Sequence, residues 1–259
     1  MEKNDRNVRR GRCRTAHRYH GAQGHCLSSA RGARCRDQAS CVHTNEVARV
    51  IAGEAGGRRL SVPSGRSTRP TSDRAREGLF ATVTSIVGPL AGARVLDLYA
   101  GSGAVGLEAL SRGAERVLLV ESGARAAEVI RQNIAVIGLP GATVIADRVE
   151  RVLTRGPEQP SPEPRPEPRP EPRPTVGPAP GRYDVVFADP PYAAPDEEVT
   201  RMLSLLASEG WLAAGALVVV ERATRSGPVR WPEGIAADRA RRYGEATFWY
   251  GLGPEAPAS

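Results

Sequence analysis

The sequence predicts an α/β protein with a doubly wound, mostly parallel sheet. Short apolar segments, each as long as a buried strand, recur along the chain, and several are followed within a few residues by a segment with helical periodicity. Strands that alternate with helices in this way are typical of a parallel sheet covered by helices. A chain of 259 residues with 40% hydrophobic content is also long enough to bury one substantial core.

The individual elements follow from these segments in chain order. Strands are predicted at 94–99, 116–121, 143–146, 183–188 and 216–221. Helices are predicted from Val105 onward, over 123–137 and over 195–208, and a glycine and a proline end the second of them. Residues 246–251 alternate between apolar and polar after a basic stretch, which predicts an antiparallel strand added at the edge of the sheet.

The N-terminal residues differ from the rest of the chain. Of the formal net charge of +7, an excess of six positive charges lies within residues 1–48, which also hold all four cysteines and all four histidines. The Cys and His spacings contain no CxxC pair, which disfavours a zinc site, and no apolar segment follows the basic start as in a signal peptide. We expect residues 1–46 to be a disordered basic leader or sequence upstream of the true start, with Val47 as an alternative start.

A second unusual segment is rich in proline. Eleven of the 22 prolines lie within residues 157–180, where Pro-Glu-Pro-Arg occurs three times in succession. Alternating proline prevents helix and central strand and favours solvated polyproline II. We therefore predict a disordered insertion over 156–181 that loops out of the fold, and a binding site for a proline-recognising partner is the alternative.

A glycine-rich turn follows the first predicted strand. It begins after Asp97 and contains the GxGxxG pattern at Gly101, Gly103 and Gly106. These glycines let the backbone turn tightly and approach a ligand, and Glu121, at the end of the next strand, is placed to accept hydrogen bonds from two ribose hydroxyls. The pattern by itself is equally compatible with a dinucleotide-dependent dehydrogenase.

More discriminating residues end the fourth predicted strand. They are Asp189, Pro190, Pro191 and Tyr192. The two prolines fix a rigid turn with few hydrogen-bond donors. The Asp189 carboxylate and the Pro190 carbonyl can therefore each accept an N–H from an exocyclic amine, while the Tyr192 ring stacks on a planar base. A nicotinamide-dependent enzyme has no use for this element, and a purely structural turn is the alternative.

Together these motifs resemble those of class I S-adenosylmethionine-dependent methyltransferases that methylate amines. More narrowly, the sequence resembles the bacterial small-subunit (16S) ribosomal RNA guanine-N2 methyltransferases at 49–53, 57–60, 69–77 (RPTSDRARE) and 97–114. The resemblance covers roughly 49–155 and 182–252, and the leader and the proline-rich segment depart from the family pattern. It implies a Rossmann-like, seven-stranded methyltransferase domain over 77–252, followed by a tail over 253–259, and S-adenosylmethionine as the cofactor.

The resemblance also implies roles for individual residues. The implied cofactor-binding residues are Asp97, Ala100, Gly101, Ser102, Gly103, Glu121, Asp147, Arg148 and Thr71. Gly101 and Gly103 would pack against the methionyl part of the cofactor, Asp97 would contact its amino group, and Glu121 would hold the ribose. Asp147 would lie near the adenine amine, and a helix N-cap is its alternative role. The Asp189–Tyr192 turn would align guanine N2 with the activated methyl group, which requires no His or Cys.

Residues 47–76 form the predicted RNA-binding arm. Seven arginines and only two acidic residues lie within 49–76, and arginine clusters bind the phosphates of nucleic acids. The expected RNA-binding residues are Arg49, Arg58, Arg59, Arg69 and Arg74. An ordinary solvated hairpin is the alternative.

The function predicted from the resemblance is methylation of a guanine N2 in 16S ribosomal RNA of the small subunit. We expect a monomeric cytoplasmic enzyme that needs no metal. The sequence contains no run of 18 apolar residues, so no membrane span is predicted. Two other functions stay open: a DNA or protein amino-methyltransferase that uses the same proline turn, and a non-catalytic RNA-binding assembly factor. The arm and the lack of a separate DNA-recognition domain speak against the former, and the intact catalytic motif speaks against the latter.

Overall fold

A computed structural model describes residues 47–63, 73–157 and 182–255 of the chain. The predictions made for the leader, for Arg69 and Thr71, and for most of the proline-rich segment lie outside the described residues. The strands are β1 (Val47–Arg49), β2 (Arg59–Ser61), β3 (Arg94–Leu98), β4 (Arg116–Val120), β5 (Ala142–Ile145), β6 (Tyr183–Ala188), β7 (Leu212–Ala223), β8 (Ala236–Tyr243) and β9 (Ala246–Leu252). The helices are α1 (Asp73–Val87), α2 (Ala104–Ser111), α3 (Ala124–Ile137), α4 (Val149–Thr154) and α5 (Asp196–Ser208).

Seven of these strands form one sheet in the order β5-β4-β3-β6-β7-β9-β8. Neighbours from β5 to β7 run parallel, and β9 and β8 are added antiparallel. The chain moves outward from β3 through β4 to β5 and then returns to place β6 on the other side of β3. Sheets of this kind bind ligands at the carboxyl ends of the strands where the order reverses. The predicted fold class is confirmed, and the site is expected between β3 and β6.

The edge of the sheet differs from the prediction. Strand β9 is antiparallel as expected, but it lies between β7 and β8, so the prediction of 246–251 as the edge strand was wrong. The strand at this edge is β8, which contains the basic stretch with Arg239, Arg241 and Arg242, for which no strand had been predicted. Most of its residues are exposed, and charged side chains on an edge strand hinder edge-to-edge association between molecules. Because the side chains of this edge strand are mostly exposed, its sequence lacks the apolar pattern from which the other strands were predicted.

Helices cover both faces of the sheet. On one face, α1, α2 and α3 pack on the strands through Phe80, Leu107 and Ile130, which belong to one buried cluster. On the other face, α4 and α5 contribute Val152 and Met202 to a second cluster. Successive residues of a strand point to opposite faces, so a sheet covered on both faces needs strands that are apolar throughout. This requirement explains the continuous apolar segments seen in the sequence.

The arm begins with an antiparallel hairpin of β1 and β2 that is fastened to the domain. The carboxylate of Glu108 on α2, which is fully buried, accepts hydrogen bonds from the backbone N–H groups of Ile51 at 2.6 Å and Ala52 at 3.0 Å. Farther along, the buried side chain of Asn133 on α3 bonds the backbone N–H and carbonyl of Ser61. These buried hydrogen bonds constrain the position of the hairpin, because a buried donor or acceptor left without its partner would cost free energy. The hairpin therefore leads the chain to the carboxyl end of β3 in a fixed position.

Candidate active site

One cavity lies at the carboxyl end of the sheet, at the reversal of strand order. It encloses about 290 Å³ and is formed by the loops after β3, β4 and β6 together with the arm and α1. Its lining residues are Val62, Pro63, Arg76, Asp97, Tyr99, Ala100, Gly101, Ser102, Ala104, Val105, Glu121, Ser122, Asp189, Pro190, Pro191 and Tyr192. The structure thus brings together all four predicted catalytic residues and five of the predicted cofactor-binding residues: Asp97, Ala100, Gly101, Ser102 and Glu121.

The glycine-rich loop after β3 leaves room for a ligand. Gly101 has a φ of 58°, and apart from its two chain neighbours no atom of the described residues lies closer than 4.0 Å to the position that a Cβ would occupy there. At Gly106, by contrast, a Cβ would lie 2.8 Å from Cγ1 of Val117 and 3.0 Å from Oδ2 of Asp97. The absence of a side chain at Gly101 therefore keeps the ligand side of the loop open, and its absence at Gly106 lets α2 pack closely on the sheet.

Asp97 is the buried carboxylate beneath this loop. It is 4% exposed, and its Oδ2 accepts a hydrogen bond from the backbone N–H of Gly106 at 2.8 Å. Burial raises the pKa of Asp97 to about 7; the hydrogen bond from Gly106 opposes this rise and the like charge of Glu121 adds to it. A carboxylate in such surroundings is stabilised in its charged form by a cationic ligand group.

Glu121 joins the loop after β4 to the glycine-rich loop. Its Oε2 accepts a hydrogen bond from the backbone N–H of Gly101 at 2.9 Å, and its Oε1 accepts one from Gly123 at 2.6 Å. A carboxylate has about four acceptor positions, so acceptor capacity remains for two hydroxyl groups. The side chain is held in position by these backbone donors.

The loop after β6 presents the proline turn to the same cavity. The backbone N–H of Asp189 donates to the last carbonyl of β3 at 3.3 Å, which holds the start of the loop beside that strand. The Pro191 carbonyl accepts a hydrogen bond from Ala194 at 2.7 Å, whereas no hydrogen bond among the described residues uses the Pro190 carbonyl. Tyr192 is 44% exposed. Asp189, Pro190 and the partly exposed ring of Tyr192 therefore line the cavity together.

Arg222 holds this loop from behind. Its buried guanidinium donates to the carbonyl of Ala194 at 3.1 Å and to the carboxylate of Asp196 at 2.8 Å. The contacts fix the turn relative to α5, since Asp196 is the first residue of that helix. The sequence analysis missed Arg222, although an arginine directly after the apolar segment 216–221 was an available signal.

A third carboxylate, Glu221, stands beside Asp189 and Asp97. It is 6% exposed, and all three line a small cavity of about 20 Å³. The pKa of Asp189 lies well above its usual value, first because the surrounding protein displaces water and then because Glu221 and Asp97 carry like charge. Asp189 is nevertheless accessible from the larger cavity, and the water there moderates this rise. The sequence analysis placed Glu221 at the end of a strand and assigned it no role.

Three of the predicted cofactor-binding residues lie apart from the lining: Gly103, Asp147 and Arg148. The Asp147 carboxylate accepts a hydrogen bond from the backbone N–H of Arg148 at 2.8 Å and pairs with Arg151 and Arg155 at 3.4 and 3.2 Å. Arg148, not Asp147, occupies the N-cap position of α4, so the alternative role of Asp147 as N-cap was wrong. A contact of these three residues with a cofactor stays a prediction.

The described arginines of the arm have different surroundings. Arg49 is exposed and pairs with Asp73 at 2.8 Å. Arg58 donates to the last two backbone carbonyls of α3. A positive charge at this position stabilises the C-terminal end of the helix. Arg59 and Arg74 are exposed. Binding of RNA by these four residues stays a prediction, and Arg58 has a structural role besides.

Arg76 and Tyr99 are two of the seven lining residues that were not predicted as part of the site. Arg76 had been counted only as one charge of the arm, because nothing in the sequence shows that α1 turns it inward. Tyr99 has a φ of 59°, the only positive φ of a non-glycine residue among those described, and its hydroxyl donates to Glu150 at 3.2 Å. Such backbone strain concentrates at functional sites. Tyr99 therefore ties the strained start of the loop to α4.

The described residues offer neither a cluster of metal ligands nor a membrane-spanning helix. They contain no group of three or more His, Cys, Asp or Glu side chains that could hold a metal ion. In the same ranges, no helix is both long and apolar enough to cross a membrane. The cysteines and histidines of the chain all lie within residues 1–46, outside the described part.

The fold and this cavity define the class of the protein: it is a methyltransferase with a Rossmann-like fold. A family model described as conserved hypothetical protein 95 matches residues 48–162 and 174–251. The ribosomal RNA small subunit methyltransferase D of Escherichia coli strain K12 is 31% identical over 200 residues, which cover 77% of this chain and 87% of that protein. The chain belongs to the ribosomal RNA small subunit methyltransferase D family.

Solved structures agree with this assignment. The Escherichia coli protein yhhF, named as a methyltransferase, is similar with a TM-score of 0.65 and 27% identity, covering 82% of this chain and all of that one. A hypothetical protein of Thermus thermophilus is similar with a TM-score of 0.60 and 31% identity, covering 81% of this chain and all of that one. The family resemblance noted in the sequence is thereby confirmed.

Proposed function

We propose that this methyltransferase transfers a methyl group from S-adenosylmethionine to the exocyclic N2 amine of a guanine in 16S ribosomal RNA. The observation that carries the proposal is the position of Asp189 and its proline turn beside the glycine-rich loop, at the adjacent ends of β6 and β3. A nucleoside site and a site for a planar amine thus share one cavity. The name of the Escherichia coli relative specifies small-subunit ribosomal RNA, which supports this substrate class. The protein would act as a monomer in the cytoplasm.

The cavity residues fit S-adenosylmethionine as the methyl donor. The Asp97 carboxylate suits an ammonium group, and Glu121 has acceptor positions left for ribose hydroxyls. The space beside Gly101 lets the backbone come close to a ligand. Bound S-adenosylmethionine supplies a methyl group already activated by its sulfonium. The protein residues on this side of the cavity therefore need only bind and orient.

On the target side, Asp189 and Pro190 orient the amine. Each accepts one N–H, so the nitrogen lone pair is directed away from them. The Asp189 carboxylate also favours the positive charge that develops on the nitrogen, and a carboxylate of raised pKa is suited to accept the proton that the amine releases. Tyr192 offers its exposed ring for stacking on the guanine. The exposed arginines of the arm would bind neighbouring phosphates.

Replacing Glu221 by glutamine is expected to shift the acid side of the pH–rate profile to lower pH. Glu221 is a like charge that helps to raise the pKa of Asp189. Removing it lowers that pKa, so Asp189 stays ionised and able to accept the N–H at lower pH. Single-turnover methyl transfer measured from pH 5 to 9 tests this, with Glu128→Gln on the exposed face of α3 as the control. An acid side that stays in place or moves upward contradicts the arrangement.

The proposed function is tested by methyl transfer from S-adenosylmethionine labelled in the methyl group. The purified full chain is incubated with small ribosomal subunits, with naked 16S ribosomal RNA or with duplex DNA, and the product is digested to nucleosides. We expect label in N2-methylguanosine from ribosomal RNA. Label in DNA or in protein would favour the alternative amino-methyltransferase. Binding of cofactor and RNA without any transfer would favour an assembly factor.

A further inference from the structure

Arg76 is the one cationic side chain among the described residues that line the main cavity. The other charged lining residues are the carboxylates Asp97, Glu121 and Asp189. Arg76 is 1% exposed. A guanidinium buried to this degree requires an anionic partner, because an uncompensated charge inside a protein is costly.

The contacts of Arg76 leave part of its guanidinium unused. Its Nη2 donates to the backbone carbonyl of Arg49 at 2.5 Å and to the carboxylate of Asp73 at 2.9 Å. Its Nε is buried and has no hydrogen-bond partner among the described residues. A guanidinium carries five N–H donors in a fixed fork, and Arg76 lines the cavity, so donors beyond the two contacts of Nη2 remain for an acceptor.

The carboxylates around Arg76 do not neutralise it. Asp73 is shared with Arg49, at 2.8 Å, and is itself 43% exposed on its side chain. Glu108 is engaged by the hairpin backbone and by Arg112 at 2.7 Å. Three arginines and two carboxylates give this cluster a net charge of +1. Burial lowers the pKa of Arg76, and Asp73 and Glu108 oppose that effect. A further anion next to Arg76 would complete the cluster.

We propose that Arg76 binds the carboxylate at the amino-acid end of the methyl donor. The inference rests on the proposed function, since it takes S-adenosylmethionine as the ligand of this cavity. An amino-acid end carries one ammonium and one carboxylate, and the cavity offers one carboxylate at Asp97 and one guanidinium at Arg76 for them. The two side chains therefore select a ligand with both charges.

A phosphate of the RNA is the other anion that could reach an arginine of the arm. Burial favours the carboxylate, because Arg76 is 1% exposed whereas Arg49, Arg59 and Arg74 are exposed and suited to a polymer backbone.

The test compares two ligands that differ only in this carboxylate. Calorimetry measures the affinities of the full chain for S-adenosylmethionine and for decarboxylated S-adenosylmethionine, which keeps the ammonium and the sulfonium. For the unaltered protein we expect the decarboxylated ligand to bind about 10- to 100-fold more weakly, since a hydrogen-bonded charge pair is lost. In Arg76→Met the two ligands should bind equally, at about the affinity of the decarboxylated ligand. Arg76→Lys should keep part of the preference, and Arg131→Met, on the exposed face of α3, should keep all of it.

Other outcomes would overturn the assignment in distinguishable ways. If the unaltered protein binds both ligands equally, Arg76 does not read the carboxylate, and this result stands even if Arg76→Met fails to fold. If Arg76→Met lowers the affinity for both ligands by the same factor, Arg76 has only a structural role. If it weakens binding of 16S ribosomal RNA and keeps the ligand preference, its anion is a phosphate. Failure of the unaltered protein to bind either ligand would instead reject the proposed cofactor.

Discussion

Replacing Asp189 by alanine is expected to slow methyl transfer by about 100- to 1,000-fold, the usual effect of removing one preorganised group that stabilises developing charge. In the proposed function, this carboxylate after β6 accepts an N–H of the target amine and stabilises the charge that forms on it. The affinity for S-adenosylmethionine should stay nearly unchanged, because the residues proposed to bind that ligand are Asp97 on β3 and Glu121 directly after β4. Single-turnover transfer to 16S ribosomal RNA and calorimetry with S-adenosylhomocysteine measure the two effects separately.

Two further variants sharpen this test. Asp189→Asn keeps the shape and one acceptor oxygen but loses the charge, so its rate should lie between those of the unaltered protein and of Asp189→Ala. Asp238→Ala removes a carboxylate from the edge strand β8, away from the cavity, and should leave the rate unchanged. Near-normal transfer by Asp189→Ala would contradict the role given to this carboxylate.

The fold could be predicted where burial dictates the residue types. The central strands β3, β4 and β6 are apolar because both of their faces are covered, and their predicted bounds agree with the structure to within one residue. Helix α1 was not found. Its core contacts come from Leu79, Phe80 and Val83, but its first residues, with Arg74 and Arg76, were assigned to the arm over 47–76, and no element was predicted for the rest of the helix. Arg76 belongs to this helix, so missing the helix also concealed the residue.

The site could be predicted only as far as its residues follow the strands directly in sequence. Asp97, Glu121 and Asp189 each stand at or just after the end of an apolar segment, and parallel strands bring such positions to one edge. Glu221 and Arg222 end a strand as well, but their relation to Asp189 depends on the pairing of β6 with β7. That pairing is a contact between distant parts of the chain. A pattern along one segment does not reveal which segment lies beside it.

Replacing Asp97 by asparagine is expected to stabilise the ligand-free protein above pH 7 and to weaken binding of the donor. Asp97 has a pKa raised by burial to about 7 in the folded protein, whereas an unfolded chain has a value of about 4. Between these values the unfolded chain releases its proton and the folded protein keeps it. The stability that the neutral form provides is therefore present below pH 4 and is lost as the pH rises to 7. Asparagine stays neutral and can still accept the hydrogen bond from Gly106.

The expected gain is about 2–4 kcal/mol in the free energy of unfolding at pH 8, and it should shrink as the pH falls toward 5. Denaturant unfolding at both pH values measures it, and an equal gain at both would show that packing, not charge, is responsible. Affinity for S-adenosylhomocysteine should fall about 10-fold, because the ammonium loses its charged partner. Asp184→Asn, which makes the same chemical change outside the cavity, should leave that affinity intact. The ionised carboxylate lowers the stability of the ligand-free protein, and a bound cation restores that stability. Such a residue is expected in a binding site and not in a structural core.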